Sequence, residues 1–261
     1  MFIPLHDTNS LKHIRVQYVT ISLIVVNVVT WLITGLVAPE TVTQAATVGL
    51  GYIPAVAFDY AYLPPELWLV PDAATYITYA FLHGDFWHLA SNMLFLWVFG
   101  DNVEDALGHV RYLIFYLLCA AGGAFFHGVL MQQSEAPLIG ASGAISGVVA
   151  AYVIVHPRVR VWVLVLFRFP LPLPAFIPLL IWVGQQFLML VIDPDSGISW
   201  GAHVGGIITG TVLVLLLKRR DVPLFDRTLV TPKAVRREEP DTASTAVSET
   251  GGKLPPRWGR G

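Results

Sequence analysis

An all-α bundle of six membrane-spanning helices, with both termini cytoplasmic, is the fold class this sequence predicts. Three observations predict it. Only 13% of the 261 residues are charged and 55% are hydrophobic, with a mean hydropathy of +0.63, whereas water-soluble domains carry about 25% charged residues. Six apolar runs approach or reach the roughly 17–25 residues a helix needs to cross the hydrocarbon. The segments between them alternate between basic and base-free. So little charge cannot cover a surface in water, and the apolar content is too high for disorder.

Residues 1–16 carry Lys12 and Arg15 and form a cytoplasmic N-terminal segment. The apolar runs are roughly 17–37, 87–104, 111–131, 140–156, 174–192 and 200–217. The first is too long for the core of a cleavable signal peptide. Segment 38–86 has no Lys or Arg but carries Glu40, Asp59, Glu66, Asp72 and Asp85. Its Tyr60, Tyr62, Leu67, Trp68 and Val70 are expected to lie against the outer leaflet. Arg111 borders the turn 105–110, and 132–139 holds Glu135 and no base. Loop 157–173 carries Arg158, Arg160 and Arg168, and 193–199 carries only Asp193 and Asp195. Within the stretch Val161–Ile177, the run Val161–Phe167 is too short to span, and Arg168, Pro170, Pro172 and Pro174 follow it. An interfacial or re-entrant inner loop is expected there.

Six of the 16 basic residues lie in 1–217 and the remaining ten in 218–261. With every base on one side, the positive-inside rule puts both termini in the cytoplasm. The expected organisation is an N-terminal segment 1–16, a membrane domain 17–217 and a mostly disordered cytoplasmic tail 218–261. The start at Met1 without a transit peptide suits a bacterial plasma membrane. Cys119 is the only cysteine, which excludes an intramolecular disulfide and a Cys-based metal site. No metal, cofactor or nucleic-acid partner is expected.

Polar side chains inside apolar spans are costly and mark function. The second run opens with His88 and Asn92, four apart and on one helix face. The fourth opens Gly140-Ala141-Ser142-Gly143, with Gly147 following, and the sixth contains His203, Gly206 and Gly210. Each has a blander account: snorkelling for His88 and Asn92, close helix packing for the glycines, a buried packing histidine for His203. All three runs enter from the outside. The 1.5 Å rise then puts His88, Asn92, Ser142 and His203 at one level, about 5–10 Å below the outer surface.

Glycine faces on two helices would let Ser142 and His203 meet as nucleophile and general base. No acidic residue lies at that depth, so a Ser–His dyad is expected rather than a triad. Free N–H groups at the start of the fourth helix, with Asn92 and His88, would stabilise an oxyanion. Gln185 and Gln186 in the fifth run would either form a helix–helix hydrogen bond, the favoured reading, or mark a moving gate.

The set His88-x-x-x-Asn92, Gly140-x-Ser142-Gly143-Ala144-x-x-Gly147 and Ala202-His203-x-x-Gly206-x-x-x-Gly210 resembles the rhomboid intramembrane serine proteases, over about residues 17–217. Phe99-Gly100-x-x-Val103-Glu104-x-x-x-Gly108 resembles the family's turn after the second span. The resemblance implies a six-helix bundle, Ser142 as nucleophile, His203 as base, and His88 and Asn92 as oxyanion partners. It also implies single-pass membrane proteins as substrates, cut near the outer end of their transmembrane segment. Two positions depart from the pattern. Ala74 and Thr75 stand near the place where members often carry Trp-Arg, and Ser146 stands where many carry an aromatic residue that stacks on the histidine. Two other readings remain: a non-catalytic rhomboid-like binder of membrane-protein clients, and a small transporter. The transporter is disfavoured by the lack of pathway residues in the inner half of the spans and of an inverted repeat.

Overall fold

The computed structural model describes residues 2–166, 168–194 and 197–225. Asp195 and the tail beyond 225 lie outside them. Helix α1 covers Tyr18–Trp31 and runs on as a π turn, Leu32–Val37. The long first connection is not bare loop. It carries α2 (Glu40–Leu50), α3 (Pro54–Ala57) and α4 (Asp72–Thr78). Then follow α5 (Phe86–Leu107), α6 (His109–Leu130), α7 (Ser142–Val155), α8 (Phe176–Ile192) and α9 (Trp200–Leu217).

A helix occupies each of the six apolar runs. Among the described residues, Tyr18–Val37, His109–Leu130 and Trp200–Leu217 are long and apolar enough to cross a membrane by themselves, while α7 and α8 are apolar but shorter. Helix α7 is central and almost wholly buried. Helix α8 is the opposite: Leu180, Ile181, Leu188, Val191 and Ile192 are exposed, and only Pro178, Leu179 and Gln186 are buried. Such an apolar exterior suits lipid as solvent.

The all-α expectation needs one correction. Strands β1 (Phe2–Asp7), β2 (Arg160–Val165) and β3 (Phe169–Pro174) form an antiparallel sheet in the order β1-β2-β3. The segment expected as an interfacial or re-entrant inner loop is folded as a hairpin, and residues 1–16 contribute a strand. Period-two alternation accounts for it. Val161 and Val163 are fully buried, while Arg160, Trp162 and Leu164 face the other way. In β3, Pro170, Pro172 and Pro174 stand opposite Leu164, Trp162 and Arg160.

Two carboxylates, Glu104 and the half-buried Asp7, tie together the end of the bundle nearest the sheet. Helix α1 starts without a side-chain cap of its own. Glu104 of α5, fully buried, accepts the Val19 and Thr20 N–H groups at 3.0 and 2.8 Å and the Thr20 hydroxyl at 2.7 Å. His109 completes its shell. An anion is thus held at a helix N-terminus, where the orphan donors and the dipole favour it. Glu104→Ala would orphan those donors and is expected to cost about 2–4 kcal/mol, read as a lowered melting temperature in detergent, with Glu104→Gln intermediate.

Asp7, at the end of β1, accepts from the Tyr152 hydroxyl at 2.6 Å and the Asn102 amide at 2.8 Å. Burial pushes its carboxyl up to about 6, outweighing the lowering effect of the Tyr152 hydroxyl. Between about pH 4 and pH 6 the folded state therefore holds a proton that the unfolded chain has released, so stability falls as pH rises through that window. Relative to Asp7→Asn, the wild type is expected to lose melting temperature between pH 4 and pH 7. A constant difference across that range would contradict this.

Candidate active site

Three helix starts converge at the end of the bundle opposite the sheet. Asp85 caps α5, its side chain accepting the His88 N–H at 2.9 Å. Ser199 caps α9, accepting the Ala202 N–H at 3.3 Å, and pairs with His127 Nδ1 at 2.7 Å. Helix α7 differs, since no side chain caps it. Its first helical bond from this end runs from the Ile145 N–H to the Ala141 carbonyl, which leaves the N–H groups of the first turn without a helical acceptor. Ser142 is the first residue of that turn.

Gly140, just before α7, has φ +117°, a conformation that only glycine adopts without strain. It also lies against His88: a Cβ there would come within 2.6 Å of His88 Nε2. The backbone before α7 is thus pressed onto the start of α5.

Glycine faces bring α7 and α9 together. A Cβ on Gly206 would land on the Gly143 carbonyl oxygen, and one on Gly210 would come within 2.5 Å of the Gly147 backbone. Across this contact the Ser142 Oγ and His203 Nε2 are 2.9 Å apart, hydrogen-bond distance between partners 61 residues apart in the chain. Both are half-buried.

The other ring nitrogen, His203 Nδ1, is 2.8 Å from Gln186 Oε1. Trp182 flanks the imidazole at 6.3 Å with planes 29° apart, and Trp200 stands edge-on at 5.9 Å. Ser146 is buried and donates its hydroxyl back to the Ser142 carbonyl at 2.6 Å. The ring contact missing at position 146 is therefore made from α8 and from α9 itself. Sequence reasoning missed both tryptophans. The available signal was the spacing Trp182-x-x-x-Gln186, which puts a ring and an amide on one face of an otherwise aliphatic helix.

Of the sequence-derived set, Ser142 and His203 are in direct contact, and Gly140, Gly143, Gly147, Gly206 and Gly210 line the close approaches. His88 and Asn92 sit at the same helix end but make no hydrogen bond to Ser142 or His203 among the described residues. The Asn92 amide nitrogen is buried without a partner, as are both ring nitrogens of His83, whose ring lies 5.0 Å from that of His88. Among the described residues no group of three or more His, Cys, Asp or Glu is placed to hold a metal ion.

Residues 71–220 match the family described as the Rhomboid domain. The chain is 30% identical over 174 residues to Rhomboid protein 1, mitochondrial, of Saccharomyces cerevisiae, covering 65% of this chain and 49% of that protein. It is 30% identical over 166 residues to the rhomboid protease AarA of Providencia stuartii, covering 57% of each. RHOMBOID-like protein 12, mitochondrial, of Arabidopsis thaliana is 29% identical over 154 residues, covering 53% of this chain and 44% of that protein. The chain thus spans about half the length of the curated relatives it matches. The Saccharomyces and Arabidopsis relatives are named as mitochondrial, so the expected bacterial plasma membrane is not supported. The match takes in α4 to α9 and every residue of the site, and with more than half of its length inside that domain the chain belongs to the rhomboid family, which includes intramembrane serine proteases.

Proposed function

We propose that this protein is an intramembrane serine endopeptidase that cuts single-pass membrane proteins near the outer end of their transmembrane segment. In this reading all six apolar helices span the bilayer and both termini are cytoplasmic. The observation that carries it is the 2.9 Å contact between Ser142 Oγ and His203 Nε2, at the uncapped start of a buried helix.

Serine is a weak nucleophile until a base takes its proton, and imidazole suits that role near neutral pH. His203 Nε2 removes the hydroxyl proton as Oγ attacks the substrate carbonyl carbon. The resulting oxyanion faces the free N–H groups of the first turn of α7, with the unpaired Asn92 amide and His88 as further donors. The imidazolium returns the proton to the leaving amine, the peptide bond breaks, and an acyl-Ser142 remains. Water, deprotonated by the same nitrogen, then releases the second product. Helical carbonyls are already hydrogen-bonded, so the substrate must unwind locally before attack. A segment with Gly or Pro near its outer end unwinds most easily.

The binder alternative predicts the same fold with an unactivated serine. A fluorophosphonate probe separates the two, together with a reporter carrying one transmembrane segment. Covalent labelling that depends on Ser142, with cleavage near the outer end of the segment, is the expected result. An unlabelled, folded protein that binds the reporter without cutting it would favour the binder.

A further inference from the structure

We infer that Gln186, on α8, is a positioning residue that holds His203 in the tautomer able to accept the Ser142 proton. The inference rests on the proposed dyad and adds the group that orients it. It follows from donor and acceptor chemistry without any hydrogen being located. The Trp182 backbone oxygen can only accept, so the amide nitrogen of Gln186, 2.9 Å away, must be the atom that faces it. The amide oxygen then faces His203 Nδ1 at 2.8 Å. That oxygen too can only accept, so Nδ1 carries the ring proton. Nε2 of the neutral ring is left bare, and the Ser142 hydroxyl donates to it across 2.9 Å. From backbone carbonyl to nucleophile, every link has one allowed direction.

The surroundings fit this role. Gln186 is only 2% exposed, so water does not compete for the bond. Trp182 lies one helical turn before it on the same face of α8 and flanks the same imidazole. A single helix therefore supplies both the ring contact and the acceptor that fixes the proton. A side chain needed only to fill space would not require an acceptor oxygen aimed at Nδ1.

The test uses the full chain reconstituted in liposomes, with a single-span reporter, comparing kcat and KM for wild type, Gln186→Met, Gln186→Glu and Ser142→Ala. Methionine keeps the length and loses the acceptor; glutamate keeps an acceptor oxygen. One neutral hydrogen bond biases the tautomers about tenfold, and ring orientation adds to that. Gln186→Met is therefore expected to lower kcat by roughly tenfold to a hundredfold with KM unchanged. Gln186→Glu is expected to stay within about threefold of wild type, well inside the loss from one neutral hydrogen bond. Should Gln186→Met melt far below wild type, Gln186→Asn carries the test. Its amide is one methylene too short to bridge Trp182 and His203, so the same loss of kcat is expected. Wild-type kcat in the methionine variant, or an equal fall in the glutamate variant, would overturn the inference. Cleavage by Ser142→Ala would instead overturn the dyad itself, so the two failures are distinguishable.

Discussion

Alanine at Ser142 or at His203 is expected to lower kcat for a single-span reporter by roughly 10⁴–10⁶-fold. The size follows from how the two residues act. Each is useless without the other, so losing either removes the whole nucleophilic step, and the double variant should be no worse than the singles. Residual turnover would come only from the oxyanion donors and from binding. Fluorophosphonate labelling should vanish with Ser142→Ala, which has no attacking atom, and fall below detection with His203→Ala, which has no base. Ser142→Ala should leave the melting temperature close to wild type, because it removes one half-buried hydroxyl and creates no cavity. Loss of cleavage accompanied by unfolding would say nothing about chemistry, so the melt is measured on the same samples. Cleavage that persists in folded Ser142→Ala would remove the proposed function.

The second large effect is expected from one added carbon atom. Gly206→Ala puts a Cβ onto the carbonyl oxygen of Gly143, and that oxygen belongs to the main chain of the most buried helix. Main chain cannot rotate aside, so α7 and α9 must part by roughly 1 Å or more to restore van der Waals separation. Ser142 is the chain neighbour of Gly143 on α7, and His203 lies about one turn from Gly206 on α9. A displacement of about 1 Å in a reacting pair costs on the order of a hundredfold in rate. Close small-residue packing is also a main source of helix association in lipid, where no hydrophobic force pulls helices together. A stability loss of about 1–3 kcal/mol should accompany the loss of rate. Gly184→Ala on α8 is the matched control: an added Cβ there meets nothing within 4 Å, so rate and melting temperature should both hold. Equal behaviour of the two variants would mean that the α7–α9 approach does not set the geometry of the dyad.

The helices were legible because each falls on a largely apolar run, and lipid demands that such a run satisfy its own backbone. Ser142 and His203 were legible because a polar residue within such a run needs a reason. The sheet was not, for two reasons. The β2 run is only six residues long, and the prolines of β3 read as a loop. Its other partner is β1, from the far end of the sequence, with Phe2 paired to Val165. No local pattern announces a pairing over that distance. The orientation of His203 was hidden in a similar way. Sequence located a vacancy at Ser146, but it could not say that α8 lies where its Trp182 and Gln186 reach the ring. Gln186 was recognised as a helix–helix hydrogen-bonding residue; its partner required coordinates. The shell of Glu104 was equally hidden, because its acceptors serve a helix start more than 80 residues earlier.

The prolines of β3 have a consequence for how molecules meet in a crowded bilayer. In an antiparallel ladder, alternate residues turn their N–H toward the neighbour and the others turn it away. Proline has no N–H to give to β2, so the donors from β3 come from its odd-numbered positions, and Pro170, Pro172 and Pro174, each also opposite a β2 residue, take the places whose N–H would otherwise point outward. The free margin of the sheet thus offers oxygens but no hydrogens. A second hairpin cannot add to it, so sheet growth from molecule to molecule is blocked at that margin without the use of charge.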